Sequence, residues 1–315
     1  MSYDQWMRKI GLVLYKGGNA LDLSQFHIKF ETQAADVGSP NSVAIRVYNM
    51  KSETLSAVVT NGEYDNVVLN AGYQSGNYGV IFQGAIKQYR VGRENQTDTY
   101  LDILASDGDI GYNQGFINKS LDKSATDAQR AQAVIGAMPQ TQAGNIAILS
   151  QDGNTTNLRG KVMFGMARSY MNDLAATYNS SWSIQNGQVN VVPFSGYLPG
   201  EAVQINRYTG LIGLPEQTDE GIKLNCLLNA KLRVGGLVQL NNSEVNSLQW
   251  QKGNTVGIPY NQWAGFQYNS PLSKDGTYRA YVIEHVGDTR GKPWYSKLVC
   301  LAVDLTTQTV QGNSY

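Results

Sequence analysis

The chain has 315 residues, and its 25 Lys and Arg balance 25 Asp and Glu, so the formal net charge is zero and only 16% of residues are charged. This balance gives no long-range attraction to nucleic acid or to anionic lipid. The length favours two or three packed units, although large all-β domains also reach it. The 19 Tyr and 5 Trp are a rich supply of the amphipathic aromatics that suit protein interfaces.

The first hundred residues alternate apolar and polar side chains. In "FHIKFET", Phe26, Ile28 and Phe30 fall on one face, as expected for a half-buried antiparallel strand. The same period recurs in "SVAIRVYNM", "DNVVLNAGYQ", "GVIFQGAIKQYRVGRE" and "TDTYLDILASDGD", with turn-rich segments between them. Five or more strands in one block predict a first β-barrel or sandwich over residues 1–108.

Two helices are predicted after this block. The first lies in "SATDAQRAQAVIGAMP", with Ser124 and Thr126 as candidate caps and Pro139 as the stop. The second lies in "GKVMFGMARSYMNDLAATYN", where apolar residues from Met163 to Leu174 recur at helical spacing.

A hairpin follows the helices. "SWSIQNGQVNVVP" alternates on both sides of Asn186-Gly187, and these two residues favour the positive φ that a type I′ turn requires. Two helices and a hairpin predict a small α+β domain over residues 109–204.

The chain returns to strand patterns in residues 205–315. "GIKLNCLLNAKLRVGGLVQL" and "GTYRAYVIEHVGDTRGKPWYSKLVCLAVD" predict a second barrel-like block. A polar, aromatic-rich insertion at about 243–275 interrupts it, and a loop of this length is more often functional than idle. Four aromatics in it suggest an alternative function, a glycan-binding β module: Trp250, Tyr260, Trp263 and Tyr268.

Cys226 and Cys300 are the only cysteines, and both lie in apolar runs, which predicts buried thiols rather than a disulfide or a reactive site. The N-terminal sequence lacks the pattern of a secretory signal peptide, so folding in a reducing cytoplasm is expected. No stretch approaches 18 apolar residues, which argues against a membrane-spanning helix.

The stretch "AYVIEHVGDTRGKPWYSKLVC" places Glu284, His285 and Asp288 within five residues. On a strand, Glu284 and His285 point to opposite faces and do not chelate one ion together. A turn could bring His285 near Asp288, which leaves a hydrolase as another alternative. One His and one carboxylate fall short of the three protein ligands of catalytic zinc, and His27, predicted within a strand, is given a structural role.

Other candidates for chemistry are weak. Ser195 in "PFSGYLPG" lacks the frame of a nucleophile elbow, and a loop leaving the hairpin explains it equally well. Asp107 and Asp109 lack the later glutamate of an EF-hand, so a turn is expected there. There is no phosphate loop and no cluster of basic residues. The sequence therefore predicts a protein that is not an enzyme, with no catalytic, cofactor-binding or metal-binding residues and no cofactor.

Three segments carry a resemblance to a known family. "YTGLIGLPEQTDEGIKLNCLLNAKLRVGGLVQL", "HVGDTRGKPWYSKLVCL" and "SWSIQNGQVNVVP" resemble the trimeric baseplate hub proteins of tailed bacteriophages, with a contractile tail as the expected type. The layout is similar over nearly the whole chain, although the specific motifs lie within residues 170–300. They are structural motifs and identify a fold rather than an activity.

The resemblance implies two tail-tube-like antiparallel β-barrel domains flanking the α+β domain. Three copies would form a ring whose six barrels match the six-fold tail tube, while the other end accepts the central spike. The implied partners are the chain itself as a homotrimer, the tube protein and the spike protein, with tape-measure and baseplate wedge proteins as further candidates. Neither a membrane nor sequence-specific nucleic acid is expected as a partner, although the genome can pass through the channel. The implied location is the virion's tail baseplate, assembled in the host cytoplasm.

Overall fold

The computed structural model is mainly β, with one large antiparallel sheet. It describes residues 5–59, 62–150, 159–218, 221–241, 245, 273 and 275–303. Three parts of the chain are named below by their sequence ranges: the first block (residues 5–108), the middle unit (109–204) and the last block (205–303).

The first block contains seven strands and one short helix. They are β1 (Arg8–Lys16), β2 (Asn19–Asp22), β3 (Ile28–Ala35), β4 (Asn41–Tyr48), α1 (Ser52–Val59), β5 (Asn66–Tyr73), β6 (Gly79–Arg93) and β7 (Thr99–Asp107).

The middle unit mixes helices with short strands. Its elements are α2 (Asp109–Gln114), β8 (Phe116–Leu121), α3 (Asp127–Ile135), β9 (Gln142–Ala143), a 3₁₀ helix (Ala147–Ser150), β10 (Lys161–Met166), α4 (Ala167–Thr177), β11 (Ser180–Gln185) and β12 (Gln188–Pro193).

The last block is again made of strands. After β13 (Val203–Gln204), which lies at the end of the middle unit, its described strands are β14 (Leu211–Thr218), β15 (Gly221–Leu227), β16 (Leu237–Gln239), β17 (Thr277–Asp288) and β18 (Trp294–Ala302).

Within the described residues, the strands of both blocks and β13 belong to one 13-stranded sheet, in the order β14-β15-β18-β17-β3-β4-β7-β6-β5-β1-β2, and β16 pairs with both β13 and β17. Among the described residues β2 pairs only with β1, so the first block's sheet does not close into a barrel. The expected barrel of residues 1–108 is here an open sheet.

The sheet of the first block curves around its own core. The alternation in β4 is typical: Val43, Ile45 and Val47 are buried while the residues between them face outward. Buried side chains from β1 (Leu12) and β3 (Ile28) meet in the same cluster, although β5, β6, β7 and β4 lie between these strands in the sheet. A flat sheet cannot bring them together, so the strands must wrap around the core.

A second core lies in the last block. Ile222, Leu224 and Cys226 of β15 alternate inward and pack with Tyr278 of β17 and Leu298 of β18. The last block therefore has a core separate from that of the first block.

β17 joins the two blocks. Its first residues pair with β16, and after an irregularity between Ala280 and Val282 the strand pairs with β3 instead, from Val282 opposite Ala35 to Asp288 opposite Lys29. β18 lies alongside and places Trp294 in the first block's core and Leu298 in the last block's core. One hairpin therefore contributes to both cores.

The middle unit has a third core, formed by α3, α4, β8, β10 and the β11–β12 hairpin. The predicted first helix is present as α3. Thr126 accepts a hydrogen bond from the Gln129 amide while the Gln129 side chain accepts one from the Thr126 amide, which makes a capping box. The predicted turn is also confirmed, with φ of 52° at Asn186 and 76° at Gly187.

The second predicted helix is partly wrong. Helix α4 begins only at Ala167, and Met163 lies in β10, which pairs with β8. Met163 is buried in the same cluster as Ala167 and Leu174. Its apolar side chain therefore fits the helical spacing, although the residue lies on a strand. The short helices α1 and α2 were not predicted.

None of the helices in the described residues combines the length and hydropathy needed to span a bilayer.

Candidate functional site

The Arg8 side chain binds the backbone of the turn between β17 and β18. Its Nη1 donates to the carbonyl oxygens of Asp288 (3.0 Å) and Gly291 (2.5 Å), and its Nη2 donates to that of Lys292 (2.9 Å). The guanidinium also lies 5.5 Å from the ring centroid of Trp294. β1 is thus tied to this turn, although the two are about 280 residues apart in sequence.

The carboxylate of Asp288 binds backbone amides within the same turn. Its Oδ1 accepts hydrogen bonds from the amides of Arg290 (2.9 Å) and Gly291 (2.8 Å) and lies 2.8 Å from His27 Nε2. Burial opposes ionisation of this carboxyl, but these hydrogen bonds lower the pKa of Asp288 below its usual value. His27 precedes β3 rather than lying within it, and its ring stacks on Tyr48 at 4.4 Å.

His285 does not contact Asp288 in this arrangement. It is buried between β3 and β18, where its Nδ1 lies 2.8 Å from Ser296 Oγ. Burial lowers its pKa to about 4. Glu284 faces the opposite side and pairs with Lys297 at 3.2 Å, which confirms the predicted placement on opposite faces. The His285–Asp288 pair on which the hydrolase alternative depends is not assembled, and these residues stabilise a hairpin.

The buried imidazole predicts a measurable pH dependence. Since the pKa of His285 is about 4 in the folded chain and 6.5 unfolded, the unfolded state binds more protons below pH 6.5, and stability is lost as the pH falls toward 4. Asn at position 285 can keep a hydrogen bond to Ser296 without titrating. We expect the His285→Asn variant to have a lower free energy of unfolding than the parent at pH 7.5. Between pH 7.5 and 5.0, however, its free energy of unfolding should fall by about 2 kcal/mol less than that of the parent.

Urea unfolding of both proteins at the two pH values checks this, and equal losses would show that His285 is not the group responsible.

The cysteines are both buried and free, as predicted. Cys226 lies opposite Ser296 and Cys300 opposite Ile222, so the thiols are not cross-strand partners. Burial raises the pKa of Cys226 to about 12 and also raises that of Cys300. Neither thiol is a nucleophile at neutral pH.

Asp107 joins the first block to the middle unit. Its carboxylate accepts hydrogen bonds from the amides of Asn186 (2.5 Å) and Gly187 (2.9 Å) at the tip of the β11–β12 hairpin. Burial raises the pKa of Asp107 to about 6, although these bonds oppose the shift. Asp109 instead begins α2 and pairs with Lys87. The two carboxylates therefore serve separate structural contacts.

A buried ion pair joins all three parts of the chain. Asp36, just after β3, and Arg279, on β17, are each 1% exposed, with Arg279 Nη2 3.4 Å from Asp36 Oδ2. Arg279 Nη1 donates to the carbonyl oxygens of Pro193 (2.6 Å) and Gly196 (3.2 Å), while Ser181 Oγ donates to Asp36 Oδ2 (2.8 Å). Burial raises the pKa of Asp36 and lowers that of Arg279, and each partner's charge opposes the other's shift.

The exposed apolar side chains form the remaining candidate surfaces. On the middle unit, Phe116, Val162 and Phe164 project from the two-stranded sheet of β8 and β10. On the last block, Ile212 and Leu214 are exposed on edge strand β14, which is irregular between Ile212 and Glu216. The helix that the sequence predicts over β10 conceals the first surface, although the alternation of apolar residues in "KVMFGM" indicates a strand there.

The aromatics that suggest glycan binding lie outside the described residues: Trp250, Tyr260, Trp263 and Tyr268. Across the described part of the chain, no group of three or more His, Cys, Asp or Glu side chains is arranged to hold a metal ion.

Comparison with known proteins gives one family match. Residues 45–249 match a family model described as "Baseplate hub gp41", which is more than half of the chain. No curated protein sequence matches the chain.

Solved structures share the fold at low sequence identity. A tail protein from Neisseria meningitidis MC58 aligns with a TM-score of 0.54 at 9% identity, over 94% of this chain and 96% of its own. The prophage MuSo2 43 kDa tail protein from Shewanella oneidensis aligns with a TM-score of 0.56 at 7% identity, over 93% of this chain and 98% of its own. A Francisella PdpA–VgrG complex aligns with a TM-score of 0.50 at 6% identity, over 99% of this chain and 60% of the matched chain.

Proposed function

The chain belongs to the baseplate hub gp41 family, and from this premise we propose that it forms a homotrimeric hub joining the six-fold tail tube to the central spike. Its role is structural, in the tail baseplate of a bacteriophage. The proposed partners are two other copies of the chain, the tube protein and the spike protein, with tape-measure and wedge proteins in further contacts.

The observation that carries this proposal is the pair of strand-rich blocks within one chain, each with its own core. β17 joins them into one sheet. If the two blocks are tube-like units, three chains present six similar surfaces, which is the number that a six-fold tube requires. A head-to-tail interface that closes after three copies produces such a ring.

Two buried contacts fix the middle unit against the blocks, which supports a rigid hub. Asp107 fastens the β11–β12 hairpin to the first block, and the buried contact between Asp36 and Arg279 fastens the middle unit to both blocks. A connector that transmits load between tube and spike requires domains that keep their relative positions. We propose the domain boundaries accordingly, at 1–108, 109–204 and 205–315.

The proposal includes the absence of enzymatic activity. The residues that most resemble a catalytic group are used structurally: His285 is buried against Ser296, and Asp288 organises a turn. A structural hub of the virion needs no catalytic group.

Light scattering of the purified chain tests the oligomeric state. The expected mass is three times the 34.5 kDa of one chain, unchanged on dilution through the micromolar range. A monomer at all concentrations, both alone and with tube protein, would contradict the proposed trimer. His285→Asn serves as a control, because this substitution alters a buried residue and should leave the mass unchanged.

A further inference from the structure

The two-stranded sheet of β8 and β10 exposes an apolar surface. Val162 is 71% exposed, Phe164 67% and Phe116 50%, although Ile117 and Met163 on the other face are buried in the middle unit's core. The rings of Phe116 and Phe164 meet edge to face at 5.1 Å. Exposed apolar patches of this kind mark interaction sites, because burying them against a partner is favourable.

The two edges of this small sheet differ, because a side chain occupies the β10 edge at Phe164. On β10, the Phe164 amide donates to Tyr170 Oη (2.9 Å), and Tyr170 Oη donates to the Phe164 carbonyl oxygen (3.3 Å). The Phe164 backbone therefore points away from β8. In an antiparallel pair, the backbone N–H and C=O groups of opposite residues point alternately toward each other and away from the pair. Asn118 lies opposite Phe164, so its backbone groups also point away from β10.

Among the described residues, the outward-facing backbone donors and acceptors of β8 consequently have no strand partner. The register assigns Phe116 and Ser120 to the same outward set as Asn118, since they lie opposite Met166 and Val162. The neighbouring Gly115 supports this assignment, because its carbonyl oxygen points toward the other chain segment and accepts a hydrogen bond from the Ala167 amide. Within the part of the chain that the structure describes, β8 pairs only with β10. An unpaired edge of this kind is a template for another strand.

The surroundings of the open edge are basic. Lys119, Lys123 and Arg159 are exposed, whereas Lys161 is half-buried within the fields of Asp127 and Asp173. The acidic residue Asp122 accepts a hydrogen bond from the Lys123 amide, so the positive charge at this edge comes mainly from Lys119, Lys123 and Arg159. In a chain whose formal charge is zero, this concentration of positive charge selects a negatively charged partner.

We propose that an acidic, extended segment of a different protein adds to β8 as a third strand, with apolar side chains at alternate positions covering Phe116, Val162 and Phe164. Backbone pairing would supply binding energy, and the exposed apolar side chains with the neighbouring basic residues would supply specificity. Nucleic acid and lipid headgroups share the negative charge, but neither uses the row of free backbone donors and acceptors. Isologous pairing of two β8 edges would bring like charges together.

Photo-crosslinking in assembled tails tests this inference, which rests on the proposed function for its choice of sample. The photoreactive residue p-benzoylphenylalanine replaces Ser120, whose outward position on β8 places it beside an added strand. The crosslinked product is then identified by mass spectrometry. We expect a crosslink to an acidic, alternating segment of another polypeptide.

A matched pair of variants ties the crosslink to strand pairing. Asn118→Pro removes an amide that faces the open edge, whereas Asn118→Ala keeps it, so the crosslink yield should fall about tenfold in the first variant and stay unchanged in the second. If Asn118→Pro lowers the melting temperature, Lys119→Glu replaces it, and the same fall is expected from charge reversal.

A crosslink to a second copy of the chain, to nucleic acid or to lipid would overturn the inference, and so would no crosslink or equal yields in the matched pair. These outcomes leave the chain in the tail and its structural function intact. Absence of the chain from purified tails would instead contradict the proposed function, and the inference with it.

Discussion

Replacing Arg279 by Met is expected to lower the free energy of unfolding by about 3 to 5 kcal/mol. The substitution leaves the Asp36 carboxylate 1% exposed without its cation, and it removes the hydrogen bonds to Pro193 and Gly196. Because Arg279 contacts all three parts of the chain, the middle unit should loosen from the blocks. Urea unfolding at pH 7.5, with hydrogen exchange of the amides in β11 and β12, measures both effects.

A second ion pair on the same hairpin provides the matched control. Glu284 and Lys297 are partly exposed, so Lys297→Met should change stability by less than about 1 kcal/mol. The double variant Asp36→Leu, Arg279→Met should recover much of the loss, because an uncompensated buried charge is the main penalty. A loss below about 1 kcal/mol for Arg279→Met alone would show that the ion pair does not hold the three parts together.

Replacing Trp294 by Ala should also cost about 3 to 5 kcal/mol. Trp294 is 3% exposed, packs edge to face with Phe30 at 5.6 Å and lies beneath the guanidinium of Arg8. Its removal leaves a cavity where the β17–β18 hairpin enters the first block's core. Calorimetric melting temperatures and hydrogen exchange in β3 measure the effect.

Tyr295 provides the comparison, since it is next in sequence but points to the opposite, half-buried face. Tyr295→Ala should have a clearly smaller effect on the isolated chain. A loss for Trp294→Ala no larger than that for Tyr295→Ala would mean that the hairpin's contact with the first block does not depend on the indole.

The sequence predicts the strands of this fold better than their partners. Alternation identifies β4, and the Asn186-Gly187 turn identifies the β11–β12 hairpin, because both signals are local. The pairing of β17 with β3 joins residues about 250 positions apart, and no periodicity specifies it. Two separate strand-rich blocks were therefore predictable, whereas the single sheet that joins them was not.

The same distinction applies to the candidate site. Within "EHVGDTRG", the opposite faces of Glu284 and His285 follow from strand geometry. The contact of Asp288 with His27 and the burial of Arg279 against Asp36 depend on the tertiary fold. At β10, apolar residues fit both a strand and the first turn of a helix, and the pairing with β8 decides between them.

The most direct test of the proposed hub is electron cryo-microscopy of the assembled tail. We expect three copies of the chain in one ring, with the first and last blocks of each copy alternating as six similar surfaces below the six-fold tube, and the spike on the opposite side. Six copies of the chain, or a ring in which only one block of each copy meets the tube, would contradict this account.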